Sequence, residues 1–184
     1  MKNINKIAMF TAKFMEILHW LAAVSMVLVA IFSATAGEWF ANLLRQGIAE
    51  QDSTIAVYGF QVDILNAQNE INTTTLLLFT IAAIIILSLM AMCFRNVFLI
   101  IKKSQNSTPF QRDNIRMIRE LGIFFISMPV VGLVMSGVIR LVIGVDAAET
   151  AVNLSGFAIG ILFLCLTQFF AHGMELEKDV EGLV

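Results

Sequence analysis

LLLFTIAAIIILSLMAMCF, residues 76–94, is nineteen consecutive residues without a formal charge. A helix rising 1.5 Å per residue needs about 20 such residues to cross the roughly 30 Å hydrocarbon core of a bilayer. Three further stretches reach that length. Residues 17–36 give twenty, residues 151–171 give twenty-one, and residues 121–139 give nineteen, continued past Arg140 by 141–145. The sequence therefore reads as an all-α integral membrane protein with four transmembrane helices. Their spans are about 14–36, 75–101, 119–145 and 151–172, within a single membrane domain over 1–184.

Composition agrees. The chain is 58% hydrophobic and 14% charged, with a mean hydropathy of +0.82. A soluble domain carries roughly 25% charged residues to solvate its surface, so lipid is the natural solvent for much of this one. The net charge of −2 gives no global field to attract nucleic acid. Cys93 and Cys165 each lie inside an apolar run and read as small core hydrophobes, not a disulfide.

Lysine and arginine set the orientation, because basic loops resist translocation. Placing the N-terminus, the 95–120 region around the 102–118 loop and the C-terminal tail (173–184) on one side gives it Lys2, Lys6, Lys13, Arg95, Lys102, Lys103, Arg112, Arg116, Arg119 and Lys178, ten in all; only Arg45 and Arg140 fall on the other. Both termini are thus expected in the cytoplasm of a bacterial cell, at its inner membrane. Lys2, Lys6 and Lys13 ahead of an apolar run imitate a secretion signal, and Ala34-x-Ala36 imitates a cleavage site. The twenty-residue run exceeds the roughly 7–15 residues of a cleavable apolar core, so a retained first span is expected.

The long extracytoplasmic loop is 37–74. Trp39-Phe40 follow the first span and Trp20 lies near its other end, as aromatic residues do at membrane interfaces. TIAVYGFQVDI, residues 54–64, carries β-branched and aromatic residues about Gly59, a hairpin or bent-strand signal in a loop that reads as a small ordered cap outside the bundle or as an irregular loop. In the cytoplasmic loop, Thr108-Pro109-Phe110-Gln111 reads as a helix start. Thr108 would cap the free amides, Pro109 would take the first helical position, and Gln111 would complete a capping box. Arg112, Arg116 and Arg119 then fall on one face, which reads first as a topology signal resting on anionic lipid headgroups and otherwise as a docking face for an acidic cytoplasmic partner, and Pro129 is expected to kink the helix that continues from them.

Two histidine motifs invite a metal reading. Glu16-x-x-His19 opens the first span and His172-x-x-Glu175 closes the fourth, both at the same expected membrane surface. Residues at i and i+3 share a helix face, and Glu-x-x-His pairs on facing helices build carboxylate-bridged metal sites, while two histidines can clamp a haem iron. Headgroup boundaries solvate acids and histidines without any metal, so no metal or other cofactor is expected. Gly156-x-x-x-Gly160 allows close helix approach, within the chain or between copies of it. Asn153, Ser155, Thr167 and Gln168 are the strongly polar residues of the fourth span, and no span carries an acid or base at mid-depth. That pattern argues against an ion-coupled pump. No GxSxG, HExxH, Walker, CxxC or kinase motif occurs, so an enzyme is not expected.

The stretches STPFQRDNIRMIRELG (107–122) and FFAHGMELEKDVEGLV (169–184) resemble a bacterial four-span membrane family, domain of unknown function 2975. Thr108, Pro109, Phe110, Asn114, Ile118 and Arg119 match its cytoplasmic signature; Phe169 or Phe170, Gly173 and Leu176 fit its fourth-span ending, and the family's acidic ending appears only loosely as 179–184. The resemblance implies no established activity. It implies a small cytoplasmic helix-turn-helix regulator as partner, reached through Thr108, Pro109, Phe110, Arg112, Asn114, Arg116 and Arg119 together with the tail. The leading expectation is a non-enzymatic membrane sensor or partner of such a regulator, in contact with lipid and not directly with nucleic acid. The alternatives are a transport or immunity-type protein with a polar cavity lined by Asn153, Thr167 and Gln168, and a haem or metal protein using His19 and His172.

Overall fold

The computed structural model describes residues 2–47, 54–66, 70–105, 110–148 and 154–181. Among them the elements run α1 (Lys2–Thr35), α2 (Gly37–Gly47), β1 (Thr54–Val57), β2 (Phe60–Asp63), α3 (Thr73–Lys103), α4 (Arg112–Val142), a 3-10 turn (Val145–Ala147) and α5 (Leu154–Glu181). Four of these helices, α1, α3, α4 and α5, are long and apolar enough to cross a membrane. Each apolar stretch read from the sequence lies within one of them, apart from Ala36 just past α1, residues 143–145 just past α4, and residues 151–153, which are not among the described ones.

The helices outrun the expected spans at their polar ends. α1 is already helical through Lys6 and Lys13, and α5 continues to Glu181, so residues 173–181 of the expected tail are helix. Apolar content sets how much helix lipid could accommodate, but the hydrogen-bond ladder propagates cheaply beyond it once formed. α4 runs on through Pro129.

Two compact units are present. One contains Met1–His19, Leu89–Ser127 and Leu154–Val184; the other contains Trp20–Ser88 and Met128–Asn153. In the second, α1 passes into α2 across a bend at Ala36 without losing its ladder: the Ala36 amide donates to Phe32 O at 2.9 Å, and the Phe40 amide to Ala36 O at 2.8 Å. Residues 37–47 are thus helix, the ordered one of the two forms the loop's sequence allows. Phe40, Ala41 and Leu44 of α2 share a face and close over Ile64, Ile71 and Leu76, a core that burial keeps dry. β1 and β2 form the hairpin that residues 54–64 predict, paired Thr54↔Asp63 through Val57↔Phe60. Its turn puts Tyr58 at φ 45° and Gly59 at φ 86°. Two left-handed residues in a two-residue turn match the twist of the flanking strands. Phe60 stacks on Phe79 of α3 with ring centroids 5.6 Å apart, and Val62 bridges to Ala148, which anchors the hairpin.

Candidate functional site

The residues expected to face a partner begin α4, in the first unit. Thr108 and Pro109 lie outside the described residues. The Ile115 amide donates to Gln111 O at 3.1 Å and the helix starts at Arg112. Gln111 therefore precedes the helix and is not the third residue of a box opened by Thr108. Asp113 stands in the first turn, where the helix dipole favours an acid, and pairs with Lys103 in the last turn of α3. Hydrogen bonding to the Lys103 ammonium, then its charge, and then the Arg116 charge hold the Asp113 carboxyl below its usual range.

Of the expected surface residues, one is buried and one half-buried. Asn114 is 0% exposed and its amide donates to Ser104 Oγ at 3.4 Å. It lies on the stripe 114, 117, 118, 121, whose other members Met117, Ile118 and Leu121 are also buried. Motif membership placed Asn114 outside; the helical angle places it inside. Phe110 is half-buried, tilted against Phe170 at 5.5 Å, and a Cβ on Gly173 would come 2.7 Å from its ring. The two signature stretches thus meet each other, and Phe170 rather than the exposed Phe169 makes the contact. The outward face keeps Arg112, Arg116 and Arg119. Arg116 Nε lies 3.4 Å from Glu120 Oε1, whose other oxygen accepts from Asn96 Nδ2 at 3.0 Å. Arg112 and Arg119 form no ion pair among the described residues.

The histidines occupy unlike surroundings. His19 is 5% exposed; its Nδ1 donates to Met15 O at 2.7 Å and its ring lies 5.1 Å from that of Phe94. Glu16 accepts from Lys13 Nζ at 2.9 Å. His172 has a side chain 72% exposed, with Nδ1 3.7 Å from Glu175 Oε2. Among the described residues no group of three or more His, Cys, Asp or Glu side chains is placed to hold a metal ion. Cys93 is buried, Cys165 exposed, and both are free thiols.

Gly160 makes its close approach within the chain. A Cβ there would meet Gly122 O at 2.8 Å, and one on Gly122 would meet Gly160 O at 2.9 Å, so α4 and α5 touch backbone to backbone. Phe125 and Phe163 stack beside them at 5.7 Å. Gly160 thus packs inside the chain; Gly122 gave no motif by which sequence reading could have paired it. Of the polar residues expected to line a pathway, Asn153 lies outside the described residues, Thr167 donates to Phe163 O of its own helix at 2.9 Å, and Gln168 lies on an exposed face of α5.

The second unit holds a cleft that sequence reading missed, with a volume of about 500 Å³. β2, the start of α3 and the turn after α4 contribute to it. Asp63, Asn72 and Thr75 are polar residues in its wall; Leu65, Ile143 and Val145 are apolar ones. Asn72 Oδ1 caps α3, accepting from the Thr74 and Thr75 amides at 3.1 and 3.2 Å. Scanned against protein-family models, curated proteins and solved structures, the chain matches none.

Proposed function

We propose that this chain is a non-enzymatic, four-span protein of a bacterial inner membrane that docks a cytoplasmic partner on the outward face of α4. The observation that carries the membrane reading is an inside-out distribution of side chains. Phe10, Leu21, Ile161, Leu162 and Phe169 are exposed, whereas Thr75, Thr80, Asn96, Asn114 and Ser136 are buried. In water such apolar surface drives aggregation; in hydrocarbon it is the solvated face, and polar groups retreat inside. The ten-to-two split of Lys and Arg supports a topology with both termini and Lys103 in the cytoplasm.

Arg112 and Arg119 supply the docking chemistry. They are exposed cations without an ion pair among the described residues, on a helix continuous with an apolar span. An acidic surface on a small helix-turn-helix regulator, the partner implied by the family resemblance, is their natural complement. The test has two arms. Reporter fusions at Lys103 and Arg45 should report opposite sides, and Lys103 on the outer side rejects the topology. A pull-down from detergent with Arg112→Ala and Arg119→Ala combined should lose a bound partner; an unchanged partner set rejects the docking face.

A further inference from the structure

α5 meets α4 through Gly160 and Phe163, and its opposite side stays open. Leu154, Ala158, Ile161, Cys165, Gln168 and His172 are all exposed there, at alternating steps of four and three residues. That 3.5-residue period is the seam along which two parallel helices pack. A hollow of about 530 Å³ lies along it between Ile161 and His172.

Hydrocarbon suits the apolar members of this seam but not Gln168. The adjacent Thr167 settles its hydroxyl on Phe163 O at 2.9 Å, whereas the Gln168 amide has no hydrogen bond among the described residues. A carboxamide facing lipid without a partner is costly. Escape to the headgroups is hindered as well. Gln168 stands four residues, about 6 Å, short of His172 along the axis, and side chains leave a helix tilted toward its N-terminus, here toward the bilayer centre.

The group selects its own complement. A carboxamide carries both donor and acceptor, so two of them can bond reciprocally. Copies inserted with one topology set their α5 helices parallel, and a two-fold axis between the helices brings Gln168 opposite Gln168 and Cys165 opposite Cys165. Gly160 already faces Gly122 within the chain, so an association between copies belongs on the opposite side of α5. We propose that two copies of this chain pair through the exposed seam of α5, with the Gln168 amides hydrogen-bonded to each other. This pairing rests on the membrane reading above and not on the docking face.

The purified full chain is reconstituted at low density in phosphatidylcholine vesicles, recovered by flotation and oxidised with copper phenanthroline. A disulfide-linked dimer through Cys165 is expected. Cys93→Ala should leave it unchanged, since that thiol is buried, and Cys165→Ser should abolish it. Ile159 is exposed too but turns away from the seam, so Ile159→Cys in the Cys165→Ser background gauges random collision and should give little dimer. Gln168→Leu alters an exposed side chain with no bond to lose among the described residues. It should weaken pairing roughly three- to thirtyfold, read as the lipid dilution that halves the crosslinked fraction. No Cys165 dimer, an equal yield from Ile159→Cys, or Gln168→Leu paired as tightly as the parent protein overturns the proposal. A chain that fails to float sinks the membrane reading and this interface together; one that floats without crosslinking sinks the interface alone.

Discussion

Replacing Gly160 by Ala tests how α5 is held. The added methyl arrives 2.5 Å from Ile126 Cγ1, 2.8 Å from Gly122 O and 3.1 Å from Ile126 N. Ile126 can swing its side chain away, but a backbone carbonyl cannot, so α4 and α5 must part by several tenths of an ångström. A radial gap of about 0.5–1 Å forfeits a quarter to a half of each dispersion contact across it. Helices in lipid associate through such packing, with little hydrophobic drive to replace it. Overpacking of this kind costs about 1–3 kcal/mol, and exchanging glycine for alanine in a helix returns up to about 1 kcal/mol. The net loss is about 1–2 kcal/mol, a factor of roughly 5–30 in the folded-to-unfolded ratio. Gly122→Ala should behave alike, and the double variant should lose less than the sum, because both substitutions open one gap. At Gly137 an added methyl would find nothing within 4 Å, which provides the control: Gly137→Ala should be neutral or stabilising. Unfolding in mixed mild and denaturing detergent, followed by far-UV circular dichroism, measures all four. Gly160→Ala as stable as the parent protein would refute the backbone contact.

Three further outcomes are expected. Gly59→Ala, at φ 86°, should cost about 1–3 kcal/mol of hairpin stability, read as faster amide exchange across β1 and β2 with α3 unaffected. Asn96→Ala removes the donor 3.0 Å from Glu120 Oε2 and should destabilise by about 1–3 kcal/mol, whereas Arg116→Ala, at an exposed pair, should change stability by less than about 1 kcal/mol. Lys103→Ala should raise the Asp113 carboxyl toward its ordinary range. Because the folded-state value is depressed, the stabilising contribution exists above the unfolded value and disappears as pH falls through the folded one. A carboxyl-carbon NMR titration that finds Asp113 unmoved in Lys103→Ala would dismiss the pairing.

The four long helices were legible because an apolar run long enough to cross a bilayer is a length signature that needs no knowledge of neighbours. The hairpin was legible for a local reason as well, since Tyr58-Gly59 between β-formers is a turn with a mechanism. α2 was not, because an eleven-residue helix with Phe40 and Leu44 inward offers too few periods to stand out behind Gly37. The proposed docking face was half legible. Arginine spacing gave the outward side, while Asn114 and Phe110 were assigned by motif; Asn114 is buried by its angle around α4, and Phe110 is half-buried against the ring of Phe170. The cleft was illegible in principle: Asp63, Thr75 and Ile143 come from three segments, and no single run of sequence brings them near each other.

α5 carries a consequence for how the protein is made. Only 6% of its most apolar window is buried within the protein, against 56% for α3. Among the described residues its contacts include the ring of Phe110 on Phe170, the stacked rings of Phe125 and Phe163, and the bare backbones at Gly122 and Gly160. A rod fastened so sparingly behaves as a detachable stave. The gene could be cut between the codons for residues 148 and 154, and the two polypeptides, inserted separately, should find each other in the bilayer and restore the native assembly.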